Sequence, residues 1–166
     1  MKTHRPVIGI ASMVLALAAL PARAAPEPLG FDFSVTLSHK AAAYLSRHGE
    51  SLVAVASYYG DPKPGADKYA DEIGQIDLNP GDEFVEIPKP ADSVVRIDGS
   101  TVSRKRLRWI EGPPKVNVNI VSGRKVFQDN LLACDFIDGP VHAVQEVAVN
   151  LHCWLISENP STSLKP

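Results

Sequence analysis

The sequence has few cysteines, few aromatic residues and no large excess of charge of either sign. Its 166 residues include two cysteines and 7% aromatic residues, and 17 Lys and Arg nearly balance 19 Asp and Glu. Two cysteines argue against a disulfide-dense scaffold, and the charge balance argues against a nucleic-acid binder, which usually shows a clear basic excess. What is present, with 45% hydrophobic residues, is the composition of an ordinary globular protein of one domain.

Specific catalytic and metal-binding motifs are also missing. The sequence has no Gly-x-Ser-x-Gly elbow, no P-loop, no His-Glu-x-x-His and no Cys-x-x-Cys. We therefore expect no cofactor and no metal, and a binding module rather than an enzyme. The enzymatic alternative is a small secreted hydrolase with loop-borne residues, whose candidates are Ser122, Asp138 and His142.

The first 24 residues have the layout of a secretory signal peptide. Two basic residues precede the uncharged run 7–20, Pro21 ends it, and Ala22-Arg23-Ala24 supplies small residues for cleavage. The run is too short for a transmembrane helix, which needs about 20 apolar residues. Cleavage would remove three basic residues and no acidic one, taking the formal net charge from −2 to −5. We expect an exported protein, periplasmic or extracellular, with no membrane span after cleavage.

The rest of the chain divides into an extended leader over 25–30, one domain over 31–157 and a flexible polar tail over 158–166. Alternating or continuous apolar residues predict seven or eight short strands, and turn signals recur about every ten residues. The predicted strands are 31–37, 52–59, 73–78, 83–87, 94–97, 116–122, 131–137 and 147–156.

One helix is predicted over 39–48, because Ser38 suits its N-cap and Gly49 its C-terminal end. Two prolines and two glycines in 60–65 predict a loop, which the polar residues to position 72 extend. Asn79-Pro80-Gly81-Asp82 predicts a type II turn and therefore a hairpin between the strands on either side. Residues 103–111 fit a strand or a short helix or turn, and we favour the second, ended by Gly112-Pro113-Pro114.

These elements predict a mainly β fold, an antiparallel two-sheet sandwich with one or two short helices. The pattern and the secreted context resemble immunoglobulin-like or transthyretin-like bacterial domains. The resemblance implies a fold and no function.

Cys134 and Cys153 are expected to form a disulfide after export. Their runs flank Asp138-Gly139-Pro140, a turn signal, and an antiparallel hairpin would place the two cysteines opposite each other. The alternatives are two buried free thiols, or a metal site with His142 and His152, although that spacing matches no familiar zinc pattern.

Two segments are candidate binding surfaces. Tyr58, Tyr59 and Asp61 come at a strand end beside the long loop, where aromatic area with polar tips suits a sugar or a peptide. The alternative is that one tyrosine lies in the core and the other covers a sheet edge. Acidic residues also gather near this loop, where a solvated surface is the favoured interpretation over calcium binding or acid–base chemistry.

The second candidate surface is basic: Arg104, Arg106 and Arg108 could hold an anionic partner, with Trp109 adding stacking. The alternative is a solvated basic face that answers Glu83 and Glu86.

The sequence thus predicts an exported, non-enzymatic binding or accessory domain of a bacterial envelope, with a protein or a glycan as partner and no nucleic acid. Besides the hydrolase, a structural or inhibitory protein that pairs through a sheet edge is the remaining alternative.

Overall fold

A computed structural model describes residues 29–89 and 93–166. The predicted signal peptide, 1–24, and residues 25–28 of the predicted leader, 25–30, lie outside these residues and stay predictions. The strands are β1 (Phe31–Leu37), β2 (Leu52–Pro62), β3 (Ile76–Asp77), β4 (Glu83–Ile87), β5 (Ser93–Ile97), β6 (Ile110–Ser122), β7 (Leu132–Cys134), β8 (Phe136–Pro140), β9 (Asn150–Leu155) and β10 (Leu164–Lys165). The helices are α1 (His39–His48) and α2 (Val141–Glu146).

The strands form two sheets, which confirms the mainly β, two-sheet prediction. One sheet has the order β5-β1-β9-β7, and the other runs β10-β8-β6-β2-β3, with β4 also paired to β2. The expectation of fully antiparallel sheets is wrong, because β1 pairs with β9 and β8 with β10 in parallel. Parallel neighbouring strands need a long crossover connection. The chain between β1 and β9 provides it, since this part of the chain includes strands of the six-stranded sheet.

Both sheets contribute to a single buried cluster. Burial alternates over 31–35 of β1, 52–58 of β2 and 116–120 of β6, so every second residue of these stretches points into the cluster. Val116, Val118 and Ile120 are buried, as the alternation of β6 predicts.

Helix α1 has the ends that its sequence predicts. The Ser38 hydroxyl accepts a hydrogen bond from the backbone N–H of Ala41 at 3.0 Å. Gly49 takes the left-handed conformation with φ 68°, which suits glycine, and its N–H points to the Leu45 and Ser46 carbonyls. The helix buries Ala41 and Leu45 against the core.

Gly60, Asp61 and Pro62 belong to β2, so the loop predicted to start at position 60 is wrong in its first three residues. Asp61 pairs with Glu111 and Pro62 with Ile110 after a register shift between Tyr59 and Asp61. A bulge of this kind absorbs residues that a regular ladder rejects. For the same reason 112–114 lie inside β6 instead of ending the preceding segment, whose helical part is one 3-10 turn, Arg106–Arg108.

The predicted turn at Asn79–Asp82 is present, but the hairpin around it is wrong. The N–H of Asp82 donates to the Asn79 carbonyl at 2.8 Å, and Gly81 has φ 96°. Strands β3 and β4 both pair with β2 instead of with each other. β3 and β4 therefore act as two pieces of one interrupted edge strand, and the turn is the loop between the pieces.

The Asn79 side chain fills the gap that this loop leaves in the ladder. Its Oδ1 accepts from the N–H of Tyr58 at 2.6 Å, and its Nδ2 donates to the Ala56 carbonyl at 3.0 Å. A side-chain amide carries the same donor and acceptor as a peptide group, so it can stand in for the missing strand residue. Asn79 is buried.

Cys134 and Cys153 face each other on antiparallel β7 and β9 and are joined by a disulfide, which confirms the predicted pairing. The connection between them is no simple hairpin: the predicted turn at Asp138-Gly139-Pro140 lies in β8, and α2 follows it. Of the predicted flexible tail, 158–166, the structure pairs Leu164 and Lys165 with β8. No helix within 29–89 and 93–166 is long and apolar enough to cross a membrane.

Candidate functional site

A cleft of 370 Å³ opens on the outer face of the six-stranded sheet. Three neighbouring strands build its floor, because Ser57 of β2 pairs with Asn117 of β6, and Asn117 pairs with Asp138 of β8. The segment between β2 and β3 forms its wall. The lining side chains are polar, acidic or exposed, apart from the core residue Tyr58, and none is basic: Ser57, Tyr58, Tyr59, Asp71, Ile73, Gln75, Asp77, Asp82, Asn117 and Asp138.

The four carboxylates of the cleft share one arrangement, in which a donor fixes the Oδ1 atom. Asp71 accepts from the N–H groups of Ile73 and Gln75, and Asp77 accepts from that of Asn79. Asp82 accepts from the Ser57 hydroxyl, and Asp138 from the Tyr59 hydroxyl. Across the described part of the chain, none of the four Oδ2 atoms takes part in a hydrogen bond or an ion pair. Each carboxylate is thus oriented and still presents a charged acceptor.

Tyr59 connects the floor of the cleft to its rim. Its hydroxyl donates to Asp138, and Lys115 Nζ lies 5.9 Å from the centre of its ring. Partial burial, followed by the hydrogen bond to Asp138 and the charge of that carboxylate, raises the pKa of Tyr59 well above its ordinary value. The phenol therefore stays protonated and keeps donating further into the alkaline range than an ordinary tyrosine.

The carboxylates are spread along the cleft rather than gathered around one point. Among the residues that the structure describes, no three His, Cys, Asp or Glu side chains form a group that could hold a metal ion. The alternative metal site with Cys134, Cys153, His142 and His152 is not formed, since both sulfurs are in the disulfide. His152 instead contacts Thr36 through Nδ1 at 2.8 Å.

The structure separates the first group of predicted binding residues. Tyr58 is a core residue, 1% exposed, whose hydroxyl donates to the Leu29 carbonyl at 2.9 Å. Tyr59 lies on the opposite face and reaches the cleft. Asp61 stands beyond the bulge and pairs with Lys115 at 2.7 Å. The alternative of one tyrosine in the core and one over a sheet edge fits Tyr58 alone, because Tyr59 lies on the face of a strand that is paired on both sides.

The second group lies beside the cleft. Trp109 stacks on Tyr69 with ring centres 4.1 Å apart and planes 10° from parallel. Arg106 donates to the Asp77 carbonyl at 2.9 Å, which ties this segment to the cleft wall. Arg104 and Arg108 are exposed. The two carboxylates of the alternative interpretation have other partners: Glu83 accepts from the N–H groups of Asp98 and Gly99, and Glu86 pairs with Lys125.

The hydrolase candidates do not come together. Asp138 faces Asn117, and Ser122 lies five residues further along β6, which is about 17 Å at the usual rise of a strand. The Ser122 hydroxyl is buried and contacts Asn130 and the N–H of Leu131. In such a triad the histidine is the base and the aspartate orients it, and this separation of Asp138 from Ser122 is too long for one histidine side chain to bridge.

The sequence alone did not point to Asn117 or Tyr69, nor to Asp138 as the partner of Tyr59. Asn117 and Asp138 reach the cleft through strand register, which no local pattern encodes. Tyr69 lies in the polar stretch of the long loop. An aromatic residue in a polar loop is the one feature of the sequence that could have marked it as a binding residue.

No family model matches this chain, and neither does any curated protein or any solved structure.

Proposed function

We propose that the protein is an exported, non-enzymatic binding domain of a bacterial envelope that takes a glycan in the cleft around Tyr59. The observation that carries the proposal is the arrangement of the four cleft carboxylates, each fixed through Oδ1 and open at Oδ2. A small number of oriented polar groups in a concave site is the usual basis of specificity for a small ligand.

The charge and spacing of these acceptors favour a ligand with many donors. Carboxylate oxygens accept strong hydrogen bonds, and sugar hydroxyl or amino groups donate them. A single cation would need ligands that converge, which the described carboxylates do not. Ile73, with 78% of its surface exposed at the rim, supplies apolar area for the carbon face of a sugar ring.

The proposed fold behind this site is a two-sheet sandwich with the cleft on one outer face. The shared buried cluster of the two sheets supports this arrangement. Assignment to an immunoglobulin-like or transthyretin-like class belongs to the same proposal, and the two parallel pairs distinguish this chain from a fully antiparallel example. Export is supported by the predicted signal peptide and by the disulfide.

A glycan array printed with neutral oligosaccharides and chitosan oligomers tests the function. We expect the wild type to bind one class of glycan, and the Asn117→Ala/Asp138→Asn variant to bind it at least about tenfold more weakly, since two hydrogen-bond partners are lost. Asp32→Asn is the matched control, because Asp32 is an exposed carboxylate of the other sheet. Equal binding by the wild type and the double variant, or no binding to any glycan, would overturn the proposal.

A further inference from the structure

Beside the cleft, the fold assembles a second surface, which we call the basic stack: Tyr69, Trp109, Lys68, Lys105 and Arg106. Two tight turns bring these residues together, the 3-10 turns Asp67–Tyr69 and Arg106–Arg108. The N–H of Lys63 donates to the Trp109 carbonyl at 2.9 Å and holds the two segments side by side.

Three cations surround the stacked rings. Lys68 Nζ lies 5.1 Å from the centre of the Tyr69 ring, and Lys105 Nζ and Arg106 Cζ each lie 5.7 Å from that of Trp109. Cation–π attraction at these distances favours positions of the charged groups next to the rings. The surface therefore presents several positive charges with part of their order already established.

Among the residues that the structure describes, these cations have no carboxylate partner. The ion pairs found within 29–89 and 93–166 all lie elsewhere: Arg96 with Asp32, Lys115 with Asp61, Lys125 with Glu86, and Lys165 with Asp135. The acidic neighbours of the stack in sequence, Asp67 and Glu111, belong to none of these pairs. Arg104 and Arg108 add two exposed charges of the same sign.

We propose that the basic stack binds an acidic polysaccharide, whose carboxylate or phosphate groups meet Lys68, Lys105 and Arg106. Unpaired cations arranged along a surface suit a ligand with repeated negative charges, and the Arg guanidinium matches carboxylate and phosphate geometry. Tyr69 leaves 43% of its surface exposed, which gives the sugar rings an aromatic edge to contact. The proposal goes beyond the glycan site of the cleft and does not rest on it.

The test measures binding to three polymers: polygalacturonate for carboxylate, phosphomannan for phosphate, and dextran as the neutral control. We expect the wild type to bind one or both acidic polymers, more weakly as salt is added, and not to bind dextran at this surface. The Lys68→Glu/Lys105→Glu variant should bind at least about tenfold more weakly, because attraction becomes repulsion at two positions. Arg106 is left unchanged since it also holds the Asp77 carbonyl.

Lys40→Glu/Lys89→Glu is the matched control, with the same change of net charge at two exposed lysines outside the stack. It should retain affinity within about twofold of the wild type. Equal weakening in both double variants, or binding to neither acidic polymer, would overturn the proposal. Self-association of the protein that the Lys68→Glu/Lys105→Glu variant abolishes, without polymer binding, would also contradict it.

Tryptophan fluorescence locates the contact independently of the charge variants. In a Trp154→Phe background, Trp109 is the one tryptophan left of the two in the sequence. Its emission should change on titration with the acidic polymer that binds, and an unchanged emission would oppose contact at the stack. The cleft variant Asn117→Ala/Asp138→Asn should still bind this polymer, so failure of either proposal is distinguishable from failure of the other.

Discussion

The two ends of strand β2 use carboxylates in opposite ways. Before its Leu52 end, Glu50 is 1% exposed and accepts hydrogen bonds from four backbone N–H groups, those of Ser51, Lys125, Val126 and Phe127. Around Tyr59, each cleft carboxylate has only one oxygen engaged by the residues that the structure describes.

The difference separates a group that holds the fold from groups that are free to bind. Burial alone would raise the pKa of Glu50, but its four N–H donors outweigh burial and hold the pKa below its ordinary value. Each of the two carboxylate oxygens of Glu50 accepts two hydrogen bonds from backbone N–H groups. In the cleft the fold orients the carboxylates and leaves an oxygen of each open to the described residues, so we expect these groups to contribute less to stability than Glu50.

Glu50→Ala is the largest test of this contrast. It leaves four backbone donors without their acceptor, and we expect the free energy of unfolding to fall by about 3–4 kcal/mol. Urea denaturation of both proteins measures the loss. Glu86→Ala is the control, because Glu86 pairs at the surface with the side chain of Lys125, a residue whose N–H donates to Glu50. The loss of unfolding free energy in this control should be much smaller. Similar losses in the two variants would show that the hydrogen bonds of Glu50 contribute no more to stability than a surface ion pair.

Removing the disulfide extends the comparison to the other sheet. Cys134 and Cys153 are 19 residues apart, and a crosslink over such a loop stabilises the folded chain by about 3 kcal/mol in the chain-entropy model. We expect Cys134→Ala/Cys153→Ala to lose about that amount and to keep its affinity at the cleft. Intact mass without reductant should be about 2 Da below the reduced mass. Two thiols that alkylate without reduction would contradict the bridge.

Two asparagines give the same contrast with neutral groups. Asn79 is buried and completes the ladder of β2, so Asn79→Ala should cost about 2 kcal/mol of stability by stranding the N–H of Tyr58 and the Ala56 carbonyl. Asn117 lies at the cleft surface, and Asn117→Ala should change stability by less than about 0.5 kcal/mol. Thermal unfolding of the pair gives the comparison, and a reversed order would refute the role given to Asn79.

How far the sequence predicts the molecule follows the range of the interactions. Helix α1 is predicted to its ends because Ser38 and Gly49 act within one turn of it. The turn at Asn79–Asp82 is also local and correct, whereas the hairpin is wrong because β3 and β4 select β2 as their partner across the sheet. A local pattern carries no information on that choice.

The candidate sites divide along the same line. The basic run and Trp109 are visible in sequence because they are adjacent residues, but their neighbours Tyr69 and Lys68 come from a loop about 40 positions earlier. The contact between Tyr59 and Asp138 joins positions 79 apart. Chemistry that depends on register between strands becomes visible only when the fold is known.

Acid should destabilise the fold through two carboxylates that accept several hydrogen bonds, Glu50 and Asp135. Glu50 and Asp135 have pKa values held below the ordinary 4.5 and 3.8: burial opposes the shift in both, and N–H donors outweigh it, joined at Asp135 by Ser163 and Lys165. Their stabilisation is complete above those ordinary values and is lost as pH falls through the lower folded-state pKa. Unfolding measured from about pH 5 to pH 2.5 should show falling stability, with a flatter curve for Glu50→Gln. An unchanged curve in that variant would contradict the stabilising role of the Glu50 carboxylate.

A cleft carboxylate should affect stability much less than Glu50 does. Asp138→Asn keeps the shape of the side chain and removes a charge that the fold does not saturate, so the free energy of unfolding should change by less than about 1 kcal/mol. The same substitution should lower the pKa of Tyr59, because the Asp138 carboxylate is, after burial, the main cause of its raised value. Spectrophotometric titration of tyrosine above pH 9 detects this as earlier ionisation of one phenol, with Asp71→Asn as a control that lacks a tyrosine contact. A stability loss as large as that of Glu50→Ala would place the cleft carboxylates among the groups that hold the fold, and would remove the reason to regard them as open to a ligand.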